Sequence, residues 1–144
     1  MAIVQALANT FKDNLMATTA NLEANSLKVA LYDNTATLSS ATTVYDTANE
    51  VTGTNYTAGG EAMTGMAVTL DGSTAIFDAD NVSWANATIT AQAAVIYNSS
   101  TITGLTTNAA IAVLDFGGDK TSTNGTFEIQ FPNANASTAL IRIT

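Results

Sequence analysis

Beyond residue 25 the chain consists of short segments in which apolar and polar residues alternate. In the first of them, Leu27, Val29 and Leu31 occupy every second position. An alternation of period two places one set of side chains on each face of a β-strand. About eight such segments, separated by turn-forming residues, predict a mainly β fold: an antiparallel β-sandwich of jelly-roll-like type. The predicted strands are 27–32, 61–70, 74–77, 82–84, 88–97, 109–116, 126–131 and 138–143.

Turn-forming residues separate the predicted strands. Asp71-Gly72 is a strong signal for a tight hairpin turn, and Asn124-Gly125 is a second one. Pro132 ends the strand before it, because proline cannot donate to a sheet ladder. The segments 33–60 and 98–108 are rich in Asn, Thr and Ser and are predicted to be loops.

The N-terminal segment has a different periodicity. Val4, Leu7, Phe11 and Leu15 recur at helical spacing, which predicts a helix over residues 3–16. We therefore divide the chain into an N-terminal helix or arm, 1–25, and a β-sandwich domain, 26–144. The apolar stripe can dock onto the chain's own sheet or onto a neighbouring subunit, and the first arrangement is favoured.

Charge and composition exclude several classes of function. The 144 residues include twelve acidic and four basic residues, giving a net charge of −8, and they contain no Cys and no His. The four cations are too few to neutralise a phosphate backbone or an anionic lipid surface, so neither nucleic acid nor membrane is an expected partner. The lack of His removes the commonest general base and transition-metal ligand. The four basic residues are Lys12, Lys28, Lys120 and Arg142.

Asp78, Asp80 and Asn81 form the best candidate for a catalytic or calcium-binding cluster. Paired carboxylates can bind Ca²⁺ or act as acid and base. The spacing departs from a calcium loop after its first two acids, since the position of the next ligand holds Val82. A polar turn between two strands is therefore the favoured interpretation.

Two further patterns have a functional and a structural interpretation. The glycines of the segment 116–122 resemble a phosphate loop only weakly, because no glycine directly precedes Lys120 and no helix pattern follows; a hairpin or bulged loop explains them better. Tyrosines can line a sugar-binding surface, but at strand ends they more often seal the edge of a sandwich or an interface. These tyrosines are Tyr32, Tyr45, Tyr56 and Tyr97. We predict no catalytic, cofactor-binding or metal-binding residue, and no small-molecule substrate.

Several sequence runs, taken in order, resemble a family of small virion proteins of tailed bacteriophages. The similarity covers most of the chain after residue 26. The runs are LKVALY at 27–32, NYTAGG at 55–60, FDADNVSW at 77–84, AVIYN at 94–98 and LDFGGDK at 114–120.

This resemblance implies a non-enzymatic structural protein of the head-decoration or cement type. Such a protein binds and stabilises the shell of major capsid protein on the outer surface of the virion, after synthesis in the host cytoplasm. Self-association is expected, with a homotrimer on a local three-fold axis as a natural closed arrangement. The alternatives are a tail, neck or fibre structural protein and, less favoured, a carbohydrate-binding, adhesin-like module.

Overall fold

A computed structural model describes residues 2–144 as a mainly β fold with a single short helix in that range; Met1, the first residue of the predicted arm, lies outside the described residues. The elements, in chain order, are β1 (Ala6–Leu7), α1 (Asn9–Met16), β2 (Leu27–Tyr32), β3 (Glu61–Ala62), β4 (Ala67–Asp71), β5 (Thr74–Asp78), β6 (Val82–Asn98), β7 (Ala109–Ile129) and β8 (Ile141–Ile143).

The strands form two sheets in which every strand pair is antiparallel. The large sheet has the order β1-β7-β6-β2-β3, and the small sheet has the order β4-β5-β8. The prediction of a mainly β, antiparallel fold is thus confirmed. Within residues 2–144 neither sheet closes on itself, so each sheet ends in free strand edges.

A single apolar core joins the two sheets. Phe77 of β5 and Ile141 of β8 belong to the same buried cluster as Val29 of β2 and Val95 of β6. Trp84 lies in this cluster with its ring 5.9 Å from that of Tyr56 and 6.1 Å from that of Phe127. In β2 both faces are buried, since Ala30 and Tyr32 are as little exposed as Leu27, Val29 and Leu31 on the other face.

The predicted helix over 3–16 is wrong in its first half. The helix begins at Asn9, and the residues before it are extended: Ala6 and Leu7 pair with Val113 and Ala112 of β7. The outer side of β7 offers unpaired backbone groups here, and pairing satisfies them at less cost than another uncapped helical turn. Apolar spacing alone does not separate the two outcomes over so few residues.

The predicted strand 61–70 is two strands in different sheets. The chain leaves the large sheet after β3 and enters the small sheet at β4. Gly65 lies between them with φ 64°, a left-handed conformation that glycine adopts without steric cost. The last predicted strand, 138–143, is shorter than expected, because β8 begins only at Ile141.

The Asp71-Gly72 turn is confirmed. Asp71 pairs with Thr74, so Gly72 and Ser73 form the two-residue loop of the β4–β5 hairpin. Gly72 has φ 62° at the first loop position, as a type II′ turn requires.

The predicted turn at Asn124-Gly125 is wrong, because β7 runs through it. The predicted strands 109–116 and 126–131 form one long strand, and so do 82–84 and 88–97. Their pairing shifts register between Ala87 and Ile89, where Asn124 adopts φ 47° in a β-bulge. Asparagine tolerates this left-handed backbone better than most residues, so the same residue type serves a turn or a bulge.

Candidate functional site

The Asp78-x-Asp80-Asn81 cluster is built into the turn between β5 and β6. The Asp80 carboxylate accepts a hydrogen bond from the Thr64 hydroxyl at 3.0 Å, and the Asp80 N–H donates to the Thr64 carbonyl at 2.9 Å. The Asn81 side-chain oxygen accepts from the N–H of Phe131 at 2.9 Å. These bonds hold two distant chain segments against the turn, as the polar-turn interpretation expects.

Asp78 does not share these partners. It pairs with Ala67 at the end of β5, and its Oδ1 is buried without a hydrogen-bond partner among residues 2–144. Within that range no three acidic, His or Cys side chains come close enough to hold a metal ion.

The glycine-containing segment 116–122 forms a bulge in β7. Asp115 pairs with Ala93 and Lys120 with Ala91, so residues 116–119 lie opposite Gln92 alone. The Asp115 carboxylate accepts a hydrogen bond from the N–H of Gly117 at 2.9 Å, and no helix follows. The bulged-loop interpretation of these glycines is confirmed.

The four tyrosines converge in space around Glu50. The hydroxyls of Tyr45 and Tyr56 each donate to the Glu50 carboxylate at 2.7 Å, and so does the N–H of Gly59 at 2.7 Å. The Tyr97 hydroxyl donates to the Gly59 carbonyl at 2.7 Å. We call this group, together with Tyr32, the tyrosine–Glu50 cluster.

Tyr32 and Tyr97 are buried, and Tyr45, Tyr56 and Glu50 are half-buried. The rings of Tyr45 and Tyr97 stack with centroids 4.6 Å apart. Tyr32 is buried, and its hydroxyl donates to the Asp46 carbonyl at 2.6 Å. Burial raises the pKa of all four tyrosines, and the negative charge of Glu50 raises it further.

The cluster fastens the long loop 33–60 to the large sheet. The Tyr56 hydroxyl also accepts a hydrogen bond from the N–H of Leu31 in β2 at 2.9 Å. All four tyrosine hydroxyls are engaged in hydrogen bonds within the molecule. The sequence analysis named the tyrosines and missed Glu50, whose only sequence signal is that it is the one acidic residue between Asp46 and Glu61.

Exposed apolar side chains gather on one face of the small sheet. The strand register places Val68, Phe77 and Ile141 in one cross-strand row and Leu70, Ala75 and Ile143 in the next. Residues directly opposite in an antiparallel pair point to the same face. We call these six residues the apolar face.

Only one end of the apolar face is covered. Phe77 and Ile141 are buried, whereas Leu70, Ile143 and Val68 are 74%, 48% and 44% exposed. A groove of about 400 Å³ separates this face from α1 and the segment after it, with Phe11 and Leu22 on its far wall. Contiguous exposed apolar side chains of this kind mark surfaces that bind other proteins. The apolar face is the candidate functional site.

Sequence reasoning could not assemble this site. Residues 61–70 and 138–143 were predicted as strands from the alternation of their apolar and polar residues. That pattern does not indicate which strands are neighbours or which sheet they belong to. The apolar face depends on β4, β5 and β8 forming a sheet separate from the other five strands.

Comparisons with protein-family models, curated proteins and solved structures found no match to this chain. Among residues 2–144 no helix is long and apolar enough to span a membrane.

Proposed function

We propose that this chain is a non-catalytic structural protein of a tailed-bacteriophage virion, which decorates the capsid by binding the major capsid protein. The observation that carries the proposal is the apolar face, where three large apolar side chains stand exposed on an acidic molecule. A site for a protein partner needs such a surface, and burying it on a shell removes it from water.

The positions of the sequence runs that resemble virion proteins support the proposal. LKVALY is β2, AVIYN lies in β6, and NYTAGG contributes Tyr56 and Gly59 to the tyrosine–Glu50 cluster. These runs meet in the large sheet and its fastened loop. FDADNVSW at 77–84 starts at Phe77 in β5 of the small sheet and continues into β6 of the large sheet. The resemblance therefore spans both sheets around their common core.

The jelly-roll-like sandwich is part of the same proposal. A five-stranded and a three-stranded antiparallel sheet share one core and retain free edges. A rigid domain of this kind is suited to bridging neighbouring subunits, and a closed homotrimer would present three apolar faces at one site. Catalysis is not proposed, because Asp80, Asn81 and Glu50 are all engaged in bonds that hold the fold together.

Cryo-electron microscopy of the particle that carries the chain tests this proposal. Density for the domain at regular positions over the shell is the expected result, and its symmetry gives the oligomeric state. Density confined to the tail or portal vertex would replace the capsid assignment with a tail or neck role. Absence from the particle would overturn both.

A pair of variants connects the particle to the candidate site. Leu70→Asp places a charge on the apolar face, whereas Thr69→Asp places the same charge on the opposite face of β4, where the residue is also exposed. Shells should retain the Thr69→Asp protein after sedimentation and lose the Leu70→Asp protein. Equal retention of both would exclude the apolar face as the contact surface.

A further inference from the structure

β4 is an edge strand whose outer side is open to another chain. It pairs with β5 along its whole length, Ala67–Asp71, and it is the outermost strand of the small sheet. The N–H of Val68 points away from β5, because it donates to the Glu23 carboxylate at 2.8 Å. In an antiparallel pair the backbone groups of alternate residues point to the same side. The N–H and carbonyl of Leu70 therefore point outward as well.

We propose that the outer edge of β4 binds an extended segment of a partner protein by strand addition, and that this segment carries apolar residues at alternate positions and basic residues near its ends. This inference rests on the proposed function, since it names the part of a shell subunit that the chain would hold. The backbone hydrogen bonds come from Val68 and Leu70, the two residues of β4 whose N–H groups face outward.

The apolar face explains the alternation in the partner. A strand added beside β4 extends the two cross-strand rows, so its side chains would lie next to Val68 in one row and Leu70 in the other. Both side chains are largely exposed in this chain, at 44% and 74%. An apolar neighbour on the added strand covers them, and the intervening residues of that strand face the other way.

The charges at the edge indicate a basic partner in preference to a second copy of this chain. Glu23 is the side chain that now occupies the outward N–H of Val68, and it must move aside when a strand is added. Asp71 lies at the end of β4, and the whole chain carries a net charge of −8. A second copy would bring a second Glu23 to the same edge, whereas a Lys or Arg on the partner would pair with the displaced carboxylate.

Glu23 also protects the open edge of β4 from unspecific strand pairing. Charged side chains at a sheet edge discourage unspecific strand pairing. The Glu23 carboxylate must leave the Val68 N–H before a strand can pair there. A strand with a Lys or Arg nearby forms an ion pair with the displaced carboxylate, whereas a strand with an Asp or Glu is repelled by it. The edge is thus selective by charge as well as by shape.

Nuclear magnetic resonance of the ¹⁵N-labelled full chain tests the inference with two synthetic probes. One peptide alternates valine and threonine with a lysine near each end, and the other has glutamates in place of the lysines. The lysine peptide should shift the Val68 and Leu70 amide signals and slow exchange of the Leu70 amide by at least about tenfold, while binding about tenfold or more tighter than the glutamate peptide. Equal binding of both peptides, or shifts that avoid β4, would overturn the inference.

Two variants of Leu70 separate the backbone contact from the side chain. Leu70→Pro and Leu70→Ala both remove the apolar side chain, but only proline removes the outward N–H, and proline is tolerated at such an edge position. Binding of the lysine peptide should fall at least about tenfold further in Leu70→Pro than in Leu70→Ala, with circular dichroism showing that both remain folded. Glu23→Lys should reverse the preference between the two peptides.

The outcomes separate this inference from the proposed function. If shells retain the Leu70→Pro protein as well as the Leu70→Ala protein, strand addition is overturned and the decoration role stands. If the lysine peptide binds at β4 but the chain is absent from the particle, the decoration role is overturned and the edge site stands. If sedimentation shows a dimer of the free chain that Leu70→Pro dissociates, the partner is a second copy and the proposal is overturned.

Discussion

Glu50 is the residue on which the long loop depends. Its carboxylate accepts three hydrogen bonds, from Tyr45, Tyr56 and the backbone of Gly59. Hydrogen bonds to an ionised acceptor are about twice as strong as those between neutral groups. These three bonds add to the other contacts that hold the loop, among them the buried side chains of Leu38 and Val51 and the bond from the Val51 N–H to the Leu31 carbonyl at 2.9 Å.

We expect Glu50→Gln to destabilise the fold by about 1–3 kcal/mol. Glutamine keeps one acceptor oxygen but replaces the other with a donor, so one of the two tyrosine hydroxyls loses its charged acceptor. The free energy of unfolding from urea denaturation measures the loss.

Glu61→Gln is the matched control for Glu50→Gln, because Glu61 lies on the exposed strand β3. Its unfolding free energy should stay within about 0.5 kcal/mol of the parent. Equal unfolding free energies of the two variants would show that the hydrogen bonds of Glu50 stabilise the fold no more than the bonds to water that replace them on unfolding.

Helix α1 depends on contacts with the rest of the molecule, whereas strands β6 and β7 support each other. α1 has eight residues, no side-chain cap at its start and no basic residue in its last turn, so it is too short to persist alone. Its position comes from Phe11, which is 2% exposed in the common core, and from the backbone bond of the Ala8 N–H to the Ile111 carbonyl at 2.8 Å. By contrast, β6 and β7 stabilise each other through a long shared ladder.

Phe11→Ala should cost about 3–5 kcal/mol of unfolding free energy, the usual loss for truncating a buried phenylalanine. Met16→Ala, in the same helix, should change it by less than about 0.5 kcal/mol, because Met16 is 88% exposed. Thermal and urea unfolding of the two variants provide the comparison. Similar losses in both would mean that α1 does not dock through Phe11.

At the scale of the whole molecule, ionisation of the tyrosines is coupled to unfolding. The folded chain raises the pKa of all four tyrosines, chiefly through burial, whereas the unfolded chain restores the ordinary value of about 10. A raised pKa in the folded state means that the folded chain holds its phenolic protons more tightly. This contribution to stability is fully present below pH 10 and is lost as the pH rises above it.

Alkaline titration should therefore show the phenolate absorbance appearing together with the loss of the near-ultraviolet circular dichroism signal, above pH 10. The chain dissolved in concentrated urea provides the reference, and its four tyrosines should titrate near pH 10. Tyrosines that titrate near pH 10 while the fold stays intact would contradict the assigned burial.

The sequence by itself determined the class of fold and the positions of most strands. The alternation in Leu27–Tyr32 favours a strand, and Asp71-Gly72 favours a tight hairpin turn; the structure contains both. It also determined the acidic, His-free composition that argues against nucleic-acid partners. The strand and turn patterns are local, and the net charge is a sum over residues. Both can therefore be obtained from the sequence without knowing which segments are in contact.

Only the tertiary structure decided the rest. Residues 3–8 are extended because Leu38 and β7 provide them with backbone partners. Asn124-Gly125 is a bulge because the ladder with β6 continues on both sides of it. The tertiary structure brings Glu50 into contact with the tyrosines and places Leu70 in one cross-strand row with Ile143. Leu70 and Ile143 are too far apart in the sequence for a local pattern to indicate that they are neighbours. Pairing between distant segments is set by the whole core, which local propensity does not encode.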